Sequence, residues 1–160
     1  MITADMKDIT NIMRENMIRF LLVILSVLCM SCAVRVVQPE TWVAYEVTMV
    51  DERYAVDPGT YLAITLPVNL NSGVREVSIS GSFESGGDID VYVLDSYNFS
   101  KYESGKPFSY IYYSDRTNMD SFAISIDFSD NYILVLDNSF AVYTGKYVDV
   151  TVYKNYEQLQ

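Results

Sequence analysis

The chain has 160 residues and a mass of 18.2 kDa, with half of its residues hydrophobic and a fifth charged, the balance of a folded single-domain protein and not of a disordered chain. Its 11 Lys and Arg against 21 Asp and Glu leave a net charge of −10, which excludes a nucleic-acid partner, because phosphate binding runs on clustered basic residues. Histidine is absent, and with it go His-based catalytic triads, imidazole metal ligands and histidine pH switches.

The N-terminal third carries an address. Arg19 precedes an apolar run from Phe20 to Val34 that ends in the small residues Ser31, Cys32 and Ala33, the charge–apolar–small order of an export signal. The run is shorter than the roughly 20 apolar residues of a spanning helix, although an uncleaved anchor is the other reading. Cys29-Met30-Ser31-Cys32 resembles a lipobox, with Cys32 as the lipid-modified residue; Ser31-Cys32-Ala33 equally satisfies the small-x-small rule for ordinary cleavage. The Cys-x-x-Cys spacing is not read as redox-active, since that chemistry needs a folded, electropositive setting. Residues 1–16 mix Asp5, Asp8, Arg14 and Glu15, and Met13 or Met17 is an alternative start. The expected organisation is an extension and signal or lipoprotein segment over 1–32, a linker over 33–41, a folded domain over 42–154 and a tail over 155–160. The expected location is the cell envelope, outside the cytoplasm and held at the membrane.

From Trp42 the hydrophobic period is two. Val43, Tyr45, Val47 and Met49 share one face, and Ile89, Val91 and Val93 alternate with Asp90, Tyr92 and Leu94. The runs are rich in Val, Ile, Tyr and Thr, which suit a pleated, half-buried surface. Turn residues separate them at 57–59, 69–73, 85–88, 104–107, 129–131 and 144–146. Eight strands are expected, over 42–50, 60–68, 74–83, 88–94, 108–113, 121–127, 131–137 and 146–153, making an all-β fold, an antiparallel β-sandwich of the jelly-roll type.

Two segments carry a family resemblance. Val77–Leu94, with its Gly81-Ser82-Phe83 and Gly86-Gly87, and Asn131–Phe140 followed by Lys146–Val152, resemble the opening and closing elements of the GOLD (Golgi dynamics) domain, a β-sandwich found also in prokaryotic proteins. Gly87–Tyr92 is similar, more distantly, to the prepeptidase C-terminal domain. The resemblance implies a non-enzymatic binding or lipid-facing module with no catalytic residue to transfer.

No cofactor or metal is called for. Asp88, Asp90 and Asp95 offer hard oxygens of the kind Ca²⁺ takes, and Asp88 and Asp90 share one strand face; solvated outward carboxylates explain that pattern equally well. Asn138 reads as a corner amide bonding backbone. Glu84 and Glu103 are the pair a carboxylate-based hydrolase would use. The densest feature is aromatic: Tyr97, Phe99, Tyr102, Phe108, Tyr110, Tyr112 and Tyr113. Alternation puts Phe108, Tyr110 and Tyr112 on one face, inward as core or outward as a recognition surface. Tyr97, Phe99, Tyr102, Tyr110 and Tyr112 are therefore the candidate ligand surface, for a protein or a glycan outside the cytoplasm. A structural subunit assembling through an exposed edge strand is the other reading.

Overall fold

In a computed structural model the described residues are 13–19 and 38–160, and the chain divides into two units, Met1–Pro39 and Glu40–Gln160. In the first, residues 13–19 are helical and exposed; the apolar run and Cys32 lie outside the described residues. Among the described residues no helix is long and apolar enough to cross a membrane.

The second unit is an antiparallel β-sandwich. Its strands are β1 (Trp42–Val56), β2 (Tyr61–Val68), β3 (Val74–Leu94), β4 (Tyr112–Tyr113), β5 (Thr117–Ser125), β6 (Asp130–Asp137) and β7 (Lys146–Leu159). One sheet, here sheet A, runs β1-β7-β3-β5; the other, sheet B, runs β2-β6-β3-β4. β3 belongs to both. It climbs sheet A beside β7, from Val74 opposite Gln158 to Ser85 opposite Val148. It then folds over the top of the sandwich and descends sheet B beside β6, from Asp90 opposite Asp137 to Leu94 opposite Ile133. The chain crosses a second time at the same end, between β4 and β5.

The period of two sets what is buried. Ile79, Phe83, Val148, Val150 and Val152 of sheet A face Leu66, Val91, Val93, Tyr132, Leu134 and Leu136 of sheet B in one continuous core. At roughly 25 cal/mol per Å² of apolar surface, this interior stabilises a domain that has no cysteine in it.

Four expectations are corrected. Ser85–Asp88 is not a loop between two strands, because the backbone stays extended through the crossing and joins 74–83 to 88–94; the described residues form seven strands. Only Tyr112 and Tyr113 of 108–113 are strand. Residues 155–160 are not a free tail, since β7 continues to Leu159 in register with Trp42. The segment after Asp95 is an α-helix, Ser96–Glu103. Asp95 caps it by accepting from the Asn98 N–H at 2.7 Å, and Gly105, at φ +64°, supplies the left-handed residue that ends it. At eight residues the helix is too short for its periodicity to show.

Among the glycines, Gly81 is the one whose surroundings leave no room for a side chain. A Cβ there would lie 2.8 Å from the Phe122 ring and 2.8 Å from the Thr151 carbonyl oxygen, whereas one at Gly86 meets nothing within 4 Å. Gly81→Ala is expected to lower unfolding free energy by about 1–3 kcal/mol, and Gly86→Ala to change it by less than about 0.5 kcal/mol. Urea midpoints check both; equal midpoints for the two variants would refute the packing described.

Candidate functional site

The outer face of sheet B is built in rows set by strand register. The first row is Tyr61, Asp137 and Asp90; the second is Ala63, Val135, Tyr92 and Tyr113; the third is Thr65, Ile133 and Leu94. The helix Ser96–Glu103 and the segment after it cover the second and third rows. Phe99, Tyr102, Phe108 and Tyr92 pack there on Leu94, Ile133 and Val135 as a small second core. The helix is held by Asp130, which accepts from the N–H groups of Ser96 and Asn131 at 3.0 and 2.7 Å. Burial pushes the Asp130 carboxyl up, but these bonds outweigh it and leave the group below its ordinary range.

Tyr92 is the hub. Its ring stacks on Tyr113 at 4.6 Å and meets Phe108 edge-on at 5.7 Å, with Tyr102 at 6.0 Å and Tyr110 at 6.4 Å. Tyr61 meets Tyr102 edge-on at 5.0 Å. These offset and T-shaped contacts are the favoured geometries of aromatic quadrupoles. The cluster opens to solvent at Tyr110, 56 % exposed, and Tyr61, 39 % exposed.

Beside the rings stand two carboxylates. Asp90 and Asp137 lie directly opposite each other on β3 and β6 and are 5 % and 8 % exposed. Like charges in that position are destabilising, so each is heavily bonded. Asp137 accepts from the Tyr102 hydroxyl at 2.8 Å and the Ser139 N–H at 2.7 Å. Asp90 accepts from the Tyr113 hydroxyl at 3.1 Å and from Arg116 Nη2 at 3.1 Å. The Arg116 guanidinium lies 3.8 Å over the Phe140 ring, which also has the Lys146 ammonium at 4.4 Å. Burial, with Arg116 nearby, pulls the Lys146 ammonium below its ordinary range against the pull of Asp88 and Asp90. The face therefore presents aromatic rings flanked by oriented acceptors and one guanidinium.

Of the residues expected to form a ligand surface, Phe99, Tyr102 and Tyr110 come together here. Tyr97 stands apart and exposed, with the Lys101 ammonium 4.2 Å over its ring. Tyr112 points the other way: it packs on Phe122 at 4.9 Å against the main core and donates to Asp120 at 2.6 Å. Phe108, Tyr110 and Tyr112 do not share a face, because the backbone before Tyr112 is not strand. Tyr61, Tyr92, Asp90, Asp137 and Arg116 complete the site and were not expected in it. The outward alternation of Asp90 and Tyr92 was the available signal; the pairing that sets Tyr61 and Asp137 beside them was not.

Asp88, Asp90 and Asp95 do not converge. Asp90 is buried and not solvated, Asp95 is spent on the helix cap, and no group of three or more acidic or cysteine ligands able to hold a metal occurs among the described residues. Glu84 lies on sheet A and Glu103 beside Tyr61 over sheet B, so they do not face each other as hydrolase acids. Asn138, fully buried, donates through Nδ2 to the carbonyls of Val56, Asp57 and Thr144 at 2.9–3.3 Å. It ties the β1–β2 turn to the β6–β7 loop, the structural role read from its sequence context.

No protein-family model and no curated protein matches the chain. Similar solved structures include three variants of CBM29-2, a family 29 carbohydrate-binding module. One has a TM-score of 0.35 at 11 % identity, over 70 % of this chain and 92 % of that one. A second, complexed with cellulohexaose, has a TM-score of 0.34 at 13 % identity over 72 % and 80 %. A third, complexed with mannohexaose, has 0.32 at 13 % over 73 % and 93 %. A likeness at this level carries no ligand across to this chain.

The tyrosines supply two expected outcomes. Tyr102→Phe removes one donor from a buried carboxylate and should lower stability by about 1–3 kcal/mol; an unchanged denaturation midpoint would show that the bond contributes nothing. Burial first, then the bonds to Asp137 and Asp120, hold the Tyr102 and Tyr112 hydroxyls above their ordinary range, and burial does the same for Tyr92. A raised folded-state value means stability that is full below the unfolded tyrosine value, about 10, and lost as pH climbs above it. Tyrosinate absorbance on alkaline titration is expected to rise in two stages, exposed rings first, the remainder together with loss of the β-sheet circular dichroism. A single stage that leaves the circular dichroism intact would contradict this.

Proposed function

We propose that the sandwich is a non-enzymatic binding module, exported and tethered to the membrane through Cys32, that holds an extracytoplasmic glycan against the outer face of sheet B. A GOLD-like family membership belongs to the same proposal and rests on the segments Val77–Leu94, Asn131–Phe140 and Lys146–Val152. The observation that carries the glycan reading is the exposed rim of the aromatic cluster, Tyr61 and Tyr110, set beside Asp90, Asp137, Glu103 and Arg116. Tyrosine faces stack on the apolar faces of sugar rings at low entropic cost, while the exposed Glu103 carboxylate accepts from sugar hydroxyls and the Arg116 guanidinium donates to them.

The chain enters the sandwich at Trp42, and β1 runs fifteen residues before the turn that leads to Tyr61. At about 3.3 Å per residue, roughly 45 Å of strand separates the entry point from the end of the sandwich where Tyr61, Asp90 and Asp137 sit.

Binding of the full chain to a panel of soluble oligosaccharides and immobilised envelope polysaccharides tests the ligand. At least one glycan is expected to bind, with Tyr110→Ala weakening it about tenfold or more, which is ~1.4 kcal/mol, and Tyr97→Ala leaving it unchanged. Equal affinity for Tyr110→Ala and the wild type would remove the face from the account. Palmitate labelling in a bacterial host tests the tether: the label is expected on the wild type and absent from Cys32→Ala, and undiminished labelling of that variant would reject it.

A further inference from the structure

Among the described residues β1 is an edge strand of sheet A, hydrogen-bonded on one side to β7. Its two halves differ. A bulge at Met49 interrupts the register between Thr48 and Val50, and beyond it come the exposed charges of Asp51, Glu52 and Arg53; bulges and charges are the devices that keep an edge from pairing. Before the bulge the strand is regular for seven residues, and its one charge is Glu46. Val43, Tyr45 and Val47 point to the side on which the core lies and are 37–44 % exposed, with Tyr45 stacked on Tyr156 at 5.4 Å. The Gln160 N–H donates to the Thr41 carbonyl at 3.0 Å. By alternation, Val43, Tyr45 and Val47 therefore turn their backbone groups to β7, while Trp42, Ala44, Glu46 and Thr48 turn theirs to the open edge.

We propose that residues 42–48 of β1 pair antiparallel with the same residues of a second copy of this chain, about a two-fold axis at Tyr45. Self-complementarity selects that register. Only even residues can bond across the new edge, so even must face even. Centred on Tyr45, Ala44 faces Glu46 of the partner subunit and Val43 faces Val47 of the partner subunit. The apolar stripe is thereby doubled, and a contact of one patch with itself closes as a dimer. Centred on Glu46, two carboxylates would stand opposite each other, which is destabilising. Centred on Ala44, Val47 falls opposite Thr41 and leaves the stripe. The inference is independent of the glycan reading: the pairing edge lies at the end of the sandwich where the chain enters, away from the aromatic face.

Crosslinking of the detergent-solubilised full chain tests it, in a Cys29→Ser, Cys32→Ser background. The tyrosine pair at the axis is of the non-hydrogen-bonded type, in which Cβ atoms approach most closely, so Tyr45→Cys is expected to form an intermolecular disulfide on mild oxidation, and Ala44→Cys and Glu46→Cys far less. A second measurement uses charge in the same background. Val43→Lys is expected to halve the mass seen by light scattering, and adding Val47→Glu to restore it, because the two new charges face each other between copies. Circular dichroism confirms that each variant keeps its sheets. A single-chain mass for the wild type at every concentration, more efficient crosslinking at 44 or 46 than at 45, or a Val43→Lys mass equal to wild type would each overturn the proposal.

Discussion

Everything in this sandwich depends on one strand serving two sheets. β3 spends its first half bonded to β7 and β5 and its second half bonded to β6 and β4, with no loop between. Because side chains alternate along it, Ile79 and Phe83 enter the interior from one sheet and Val91 and Val93 enter it from the other. The same alternation sends Asp90 and Tyr92 outward on sheet B. Core and candidate site are thus two faces of a single chain segment, and neither moves without the other.

The crossing also explains why polar and aromatic residues gather at one end. The β1–β2 turn, the two sheet crossings and the β6–β7 loop meet there, and Asn138 fastens two of them through three backbone carbonyls. Asp90 and Asp137 are brought opposite by the β3–β6 register and not by sequence proximity. Their repulsion is offset by hydroxyls from the helix and from β4 and by one guanidinium. The helix has no place in the sandwich core; it shields the outer face of sheet B and delivers Tyr102 to Asp137.

Much of this was legible in the residues. Strand-rich composition bounded by turn residues marks β1, β2, β6 and β7, and alternation places Ile89, Val91 and Val93 inward, where they are fully buried. The crossing was read as a turn, since Gly86-Gly87 marks a change of direction; the sequence does not say whether the chain changes direction by a loop or by folding over while extended. At Glu76 the alternation loosens because the residue takes φ +52° in a register shift between Arg75 and Ser78. The helix leaves no periodic signal because eight residues hold barely two turns, although Asp95 is its cap and Gly105 its stop. The site was half legible. Aromatic density pointed to Phe99, Tyr102 and Tyr110, whereas Tyr61, Asp137 and Asp90 are assembled by non-local pairing that no local pattern encodes. Tyr112 does not share the face that alternation assigns it, because the segment before it is not strand.

Native-state hydrogen exchange tests the shared strand most directly. Amides of Val77–Glu84 and of Val91–Leu94 are expected to exchange with the same, near-global opening free energy, and Gly81→Ala, in sheet A, to lower both by equal amounts, because the two halves open as one cooperative unit. Exchange of Val91–Leu94 at a markedly lower free energy, unmoved by that substitution, would show two sheets that open separately and would contradict the account.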